Sequence, residues 1–113
     1  MSDINAMYDE ADKLKDEGQY EAAIAKLQQI LQLDASHVLS HLALAVLYGR
    51  VDQHEQAVDH GVRACQLDPE DAFTFTAMSV TYQRAWQGTQ KMEYIQLAEE
   101  ARDRAHQLQA RMP

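Results

Sequence analysis

Residues that break helices or cross-link chains are scarce in this sequence. It has one cysteine, two prolines and four glycines among its 113 residues. A single cysteine, Cys65, cannot form an internal disulfide, so no disulfide framework supports the fold. The small number of prolines and glycines, together with an apolar content of 46%, is typical of a compact and mostly helical protein rather than a disordered one.

Basic residues and long apolar runs are also few. Ten Lys and Arg stand against 18 Asp and Glu, which gives a net charge of −8. A nucleic-acid-binding protein needs clustered cations to displace phosphate counterions, and this sequence has no such cluster. The longest uncharged apolar run, residues 38–48, is too short to span a bilayer, and the acidic residues 1–12 are unlike a signal peptide. We therefore expect a cytoplasmic protein with no nucleic-acid partner and no membrane insertion.

Motifs that bind cofactors or carry catalysis are missing as well. The sequence has no GxGxxG, GxxxxGK[ST], HExxH, CxxC or Gly-flanked serine motif. His37 and His41 are four residues apart with Asp34 nearby, a spacing open to a metal, but a buried and hydrogen-bonded His41 is the favoured interpretation. Cys65 is interpreted as a packed small side chain, with a reactive thiol as the alternative. We predict a protein that is not an enzyme and holds no cofactor or metal.

An internal repeat is the most informative feature that the sequence does have. Residues 21–35 and 55–69 lie 34 positions apart and share five identical residues. Residues 40–50 and 74–84 repeat at the same offset and share four. A fixed period of this length predicts a stack of helical hairpins, in which each hairpin buries its apolar face against its neighbours. Such stacks present a concave surface to another chain.

Apolar periodicity and helix-ending residues predict six helices. The predicted spans are about Asp3 to Glu17, Tyr20 to Leu33, His37 to Gly49, a fourth helix ending near Leu67, a fifth continuing through Trp86 and a sixth ending near Arg111. Gly18 and Gly88 are predicted to end the first and fifth helices, and Ser36 and Thr89 to cap the third and sixth. Asp52 and Glu55 are predicted to form a capping box for the fourth helix. His54 and His60 are interpreted as surface residues.

These hairpins resemble the tetratricopeptide repeat, a motif of 34 residues with small residues where its two helices cross. The positions matching those small residues are Ala23, Ile30, Ala57, Ala64, Ala98 and Ala105. The resemblance implies an all-α, right-handed solenoid of three antiparallel hairpins, forming one domain over residues 1–113 with repeats at about 4–37, 38–71 and 72–111.

The third repeat departs from the period, because Ala98 falls seven residues late. Seven residues are about two helical turns, so each helix of the third hairpin is predicted to be longer by about one turn. Trp86 and Met92 would lie on the protruding tip. They are interpreted as packing on each other, with an exposed contact point as the alternative.

The resemblance also implies a concave groove lined by the first helix of each hairpin. The predicted peptide-binding residues are Tyr8, Asp12, Leu39, Leu42, Val46, Arg50, Phe73, Thr76, Val80, Gln83 and Arg84. Family members that grip a carboxyl terminus use Lys and Asn where Tyr8 and Asp12 stand, which argues against that ligand. What remains is an apolar trough with acidic residues on one side and arginines on the other. Unless a tight superhelix covers it, such a trough predicts a binding surface.

The leading hypothesis is an adaptor or scaffold that binds an apolar peptide segment of a partner protein in the groove. The alternative is a structural protein that assembles into homo-oligomers through the groove or its terminal helix. The acidic residues of the first helix, between positions 9 and 17, are interpreted as a solvated face, with a docking surface for basic partners as the alternative. An enzyme is the weakest hypothesis, because no residue constellation supports one.

Overall fold

Six α-helices form the part of the chain that the structure, a computed structural model, describes, which is residues 3–111. They are α1 (Ile4–Asp16), α2 (Tyr20–Leu33), α3 (Val38–Arg50), α4 (His54–Leu67), α5 (Ala72–Thr89) and α6 (Glu93–Ala110). The predicted all-α class and number of helices are confirmed over this range. Within it, no helix combines the length and apolar character needed to cross a membrane.

Consecutive helices pack in pairs, α1 with α2, α3 with α4 and α5 with α6. Neighbouring pairs meet through α2–α3, α4–α5 and α3–α5 contacts. The small residues predicted at the crossings are buried, with Ala23, Ala57 and Ala64 at most 1% exposed and Ala98 6% exposed. A side chain of this size allows two helix axes to approach closely, which explains why alanine recurs there.

The core consists of two apolar clusters. The first includes Leu27, Ile30 and Leu44 and draws on α1 to α4. The second includes Met78 and Tyr94 and is centred on α5 and α6. Helix α4 contributes to both, because Ala57 belongs to the first cluster whereas Val58, Val62 and Cys65 pack against the second.

The third hairpin is longer than the second, as predicted. Both α5 and α6 have 18 residues, against 13 in α3 and 14 in α4. About one added turn per helix extends the hairpin without rotating its buried faces. Trp86 is half-buried against the second cluster, while Met92 is 71% exposed. Of the two, Met92 is therefore the residue open to solvent.

The predicted cap of α3 is wrong. His37, not Ser36, is the N-cap, and its ring nitrogen Nδ1 accepts a hydrogen bond from the Ser40 backbone N–H. Ser36 instead donates its own backbone N–H and its hydroxyl to the Asp34 carboxylate. These bonds lower the pKa of Asp34. The Asp34 carboxylate thus stabilises the turn before α3, and the His37 ring caps the N-terminus of the helix.

The predicted capping box of α4 is also wrong. Gln53 is the N-cap and makes no side-chain capping bond. Asp52 has a φ of 62°, a left-handed conformation that non-glycine residues adopt uncommonly. Its carboxylate lies 3.5 Å from Nε2 of His54 instead of on the first turn of the helix.

Gly88 does not end α5, contrary to the prediction, and Thr89 does not cap α6. The helix continues through Gly88 to Thr89, and its C-cap is Gln90, which has a φ of 61°. A Cβ atom on residue 88 would overlap the ring of His54, which is only 8% exposed. Glycine at this position therefore allows a close approach between α4 and α5, and the interpretation of His54 as a surface residue is wrong.

Aromatic and imidazole rings pack between α3 and α4, the two helices of the second hairpin. Nε2 of the buried His41 lies 2.9 Å from the Ala35 carbonyl, so this nitrogen must donate. Its Nδ1 is then the acceptor for the N–H on Nδ1 of His60, 3.0 Å away. The His60 ring also stacks on Tyr48, with 5.6 Å between centroids. The buried, hydrogen-bonded His41 is confirmed, whereas the surface position expected for His60 is wrong.

Overpacking a helix crossing should destabilise the fold. We expect Ala57→Leu or Ala98→Leu to lower the free energy of unfolding by about 1–3 kcal/mol, because neither site has room for three more carbon atoms. Truncating the buried ring in Tyr48→Ala should cost about 3–5 kcal/mol. Ala22→Leu, on the exposed face of α2, is the matched control and should be nearly neutral. Urea melts that fail to separate the buried sites from residue 22 would contradict this packing.

Acidification should destabilise the protein through His60. Burial lowers the pKa of His60, and the neighbouring His41 lowers it further. The folded state therefore resists protonation, so stability is full above the unfolded pKa of about 6.5 and declines as the pH falls below it. We expect His60→Gln to reduce the fall in melting temperature between about pH 7.5 and pH 5. His106→Gln, at an exposed position, is the control; an equal effect of both changes would assign the pH dependence elsewhere.

Candidate peptide-binding groove

Exposed apolar side chains lie on the first helices of the second and third hairpins. Leu39 on α3 is 52% exposed, and Phe73 and Val80 on α5 are 67% and 40% exposed. Leu42 and Val46 on α3 are half-buried. The curvature of the stack therefore leaves Leu39, Phe73 and Val80 exposed. Had it covered them, the predicted trough could not have served as a binding surface. The curvature partly covers Leu42 and Val46.

The α1 end of the groove carries a phenol and a carboxylate. Tyr8 is half-buried and its ring meets the ring of His37 edge-on, with 6.0 Å between centroids. Burial raises the pKa of Tyr8, and the negative charge of Asp12 raises it further. The phenol therefore stays protonated at neutral pH and offers a hydrogen-bond donor. Asp12 is exposed and pairs with Lys15 at 3.1 Å.

Two arginines lie on the groove helices α3 and α5. Arg50 and Arg84 occupy equivalent positions in consecutive repeats and line one cleft of about 380 Å³. Nη1 of Arg50 donates to the Tyr20 hydroxyl over 3.1 Å, and the guanidinium lies 5.6 Å from the centre of that ring. Within residues 3–111, Arg84 has no carboxylate within 4 Å. The cleft thus holds two guanidinium groups and the carboxylate of Asp52.

Five residues that line this cleft were not among the predicted groove residues, namely Gly49, Asp52, His54, Gln87 and Gly88. Neither ring nitrogen of His54 makes a hydrogen bond within the described residues, and the Asp52 carboxylate lies 3.5 Å from its Nε2. The ring is held by packing against Gly88. The one signal in the sequence was a glycine inside a helical pattern, which indicates a close approach as readily as a helix end.

The remaining predicted residues on α5 do not all face one cavity. Phe73 and Thr76 line a cavity of about 620 Å³ together with Gln109 at the end of α6. Gln83 lines a separate cavity of about 290 Å³ with Trp86. The indole Nε1 of Trp86 is buried without a hydrogen-bond partner in the described part of the chain. Part of the predicted groove face on α5 is therefore shared with α6.

His37 and His41, considered as metal ligands from the sequence, make other contacts in the structure. Nδ1 of His37 lies 2.7 Å from the Ser40 hydroxyl, and His41 is engaged by Ala35 and His60. Across residues 3–111, no three side chains of His, Cys, Asp or Glu gather as metal ligands.

Comparison with solved structures identifies the fold. The type III secretion translocator chaperone SycD of Yersinia enterocolitica superposes with a TM-score of 0.81 over 97% of this chain and 77% of its own, at 18% identity. The second TPR of Spaghetti (RPAP3), solved with the HSP90 peptide SRMEEVD, gives a TM-score of 0.76 over 93% of this chain and 91% of its own, at 20% identity.

A third structure contains SycD in complex with a peptide of the translocator YopD. It gives a TM-score of 0.64 over 95% of this chain and 92% of its own, at 16% identity. Protein-family models and curated protein sequences give no match. The likeness is therefore one of structure, and it agrees with the repeat pattern of the sequence: the chain has the tetratricopeptide-repeat fold.

Proposed function

We propose that this protein is a non-catalytic interaction module that binds an apolar peptide segment of a partner protein along the first helices of its hairpins. The observation that carries the proposal is the exposure of Leu39, Phe73 and Val80 on two neighbouring helices. Large apolar side chains gathered on one surface mark binding sites more often than idle exposure. Two structural neighbours, the RPAP3 TPR and SycD, were solved with peptides, which supports this use of the fold.

The apolar residues would supply most of the affinity. Covering an exposed Leu or Phe side chain is worth about 1.5–3 kcal/mol when burial is complete, and a few such anchors dominate the binding energy of most interfaces. The partner segment should therefore carry apolar side chains at a spacing that reaches both Leu39 and Phe73.

The charged residues of the groove would set the direction of the bound segment. Asp12 and Asp16 lie on α1, whereas Arg50 lies on α3 and Arg84 on α5. A segment with a basic residue near the first pair and an acidic residue near the second would match both, and the reversed segment would meet like charges. Charge complementarity of this kind contributes more to specificity than to affinity.

Peptide selection tests the proposal directly. A displayed library of short peptides selected on the protein should become enriched in apolar sequences, and Leu39→Ser combined with Phe73→Ser should abolish that enrichment. Leu33→Ser is the matched control, because Leu33 is 53% exposed on α2, outside the predicted groove. Loss of binding in the Leu33 variant alone would move the site to another face, and no enrichment with the wild-type protein would contradict the proposal.

Measurements of stability can distinguish residues of the groove surface from residues of the core. Leu39→Ala should shift the free energy of unfolding by at most about 0.5 kcal/mol, since the side chain is already in contact with water. Leu44→Ala on the same helix removes a fully buried side chain and should cost about 2–5 kcal/mol. Equal losses in the two variants, measured by urea denaturation, would show that Leu39 belongs to the core.

Self-assembly is the second candidate function. It is favoured by two further exposed apolar residues of the third hairpin, Met92 at 71% and Ile95 at 36%. Sedimentation over a concentration series distinguishes the candidates. A protein that remains monomeric at high concentration and still selects peptides has the first function alone, whereas a concentration-dependent oligomer that Met92→Ser dissociates supports the second.

A further inference from the structure

The groove faces of α3 and α5 present the same order of side chains, two apolar residues followed by an arginine at intervals of seven and four residues. The residues are Leu39, Val46 and Arg50 on α3, and Phe73, Val80 and Arg84 on α5. These intervals are close to two turns and one turn at 3.6 residues per turn, so each set forms one stripe along its helix. Because the two helices are in contact and are related by the repeat, the paired stripes run side by side in the same direction.

The chemistry of the paired stripes changes along the helices. Their first members, Leu39 and Phe73, are exposed and apolar, whereas their last members, Arg50 and Arg84, are exposed and line one cleft. Eleven residues separate the two levels, which is about 16 Å at a rise of 1.5 Å per residue. A segment lying across the helices would meet one level alone. A segment lying along them meets the apolar and the basic level together.

Between these two levels, the predicted groove residues of α3 and α5 offer no free partner to a peptide backbone. Thr76 and Gln83 are the polar residues among them. The Thr76 hydroxyl donates to the Ala72 carbonyl of its own helix over 3.0 Å, and Gln83 lines the separate cavity beside Trp86. An extended strand on this apolar surface would bury N–H and C=O groups without hydrogen bonds, which is unfavourable. An α-helix pairs these groups internally.

The basic level complements an acidic residue. Within residues 3–111, Arg84 has no carboxylate within 4 Å, and Arg50 gives one N–H to the Tyr20 hydroxyl. Asp52 lines the same cleft, but its carboxylate lies beside Nε2 of His54. A guanidinium has five N–H donors, so both arginines keep donors for a carboxylate of a bound segment.

We propose that the paired stripes bind an amphipathic α-helix of the partner protein, which lies along α3 and α5 with an acidic residue against Arg50 and Arg84. A helix laid between two neighbouring helices contacts both at the usual interaxial distances of about 8–10 Å. Its apolar residues would recur seven positions apart, with the acidic residue four positions beyond, in either chain direction. This inference rests on the proposed function, because it names the kind of segment that the same groove takes.

An extended segment predicts a different spacing. At about 3.3 Å per residue, its apolar residues would be about three positions apart and its acidic residue about two positions further on. A displayed peptide library long enough for about four helical turns therefore distinguishes the two. Enrichment of the helical spacing supports the inference, and enrichment of the extended spacing overturns it while the proposed function stands. No enrichment at all contradicts the proposed function itself.

Three synthetic peptides test the helix directly. The first is alanine-based, with two leucines seven positions apart and a glutamate four positions beyond. The second has a proline between the leucines on the opposite face, and the third has lysine in place of the glutamate. We expect the first to bind and to gain helical circular dichroism on binding. Proline should weaken binding at least tenfold because it breaks the helix, and lysine should weaken it several-fold because it meets the arginines. Equal binding of the proline peptide overturns the inference.

A matched pair of variants tests the basic level. Arg84→Gln should remove most of the difference between the glutamate and lysine peptides. Arg102→Gln is the control, because Arg102 is also exposed and has no carboxylate within 4 Å across residues 3–111. An equal response of the two variants, both with unchanged urea melts, contradicts the placement of the acidic residue. A concentration-dependent oligomer that the first peptide dissociates would make a second copy of this chain the occupant and overturn the proposed partner.

Discussion

The close crossing of the two helices within each hairpin is the constraint on which the rest of this structure depends. Ala23, Ala57 and Ala98 are buried at these crossings, and each permits an approach that a larger side chain would prevent. The crossing sets the relative orientation of the two helices in each hairpin. It therefore also determines which face of α3 and α5 is buried and which is exposed, and the exposed face carries Leu39 and Phe73. The candidate groove is therefore a geometric product of the packing.

Much of the architecture was predictable because it depends on the local periodicity of small and apolar residues. The 34-residue offset identified the helices that repeat, and the late position of Ala98 predicted the longer third hairpin. Each of these inferences uses only the spacing of small and apolar residues along one or two helices. This spacing is a property of the local sequence and does not depend on contacts with the remainder of the chain.

The errors at His54, His60 and Gly88 share one cause, a contact between residues distant in sequence. His54 and His60 were interpreted as surface residues because polar side chains are usually exposed, yet Gly88 makes room for one and Tyr48 stacks on the other. A helical pattern gives no information about which ring meets which. The glycine at residue 88 illustrates the ambiguity, since a helix end and a close helix approach both call for the residue without a side chain.

The exposure of each candidate groove residue was not predictable from the sequence. Assigning residues to faces placed Leu39, Leu42 and Val46 on one stripe, but only the structure shows that the first is open to solvent and the other two are half-buried. It also shows that Gln83 and Arg84, adjacent in sequence, line different cavities. Adjacent helical residues point about 100° apart, so one added turn of α5 and the position of α6 decide which space each enters.

The position of helix α4 affects how the protein unfolds. It is the wall shared by the two core clusters, with Ala57 facing one and Val62 facing the other. In a linear array, stability is close to a sum of unit and nearest-neighbour terms, so either terminal hairpin can open while the remainder holds. Opening of α4 exposes both clusters at once and amounts to global unfolding. Amide hydrogens in α4 should accordingly be the slowest to exchange, and the cooperativity of the whole domain passes through its middle hairpin.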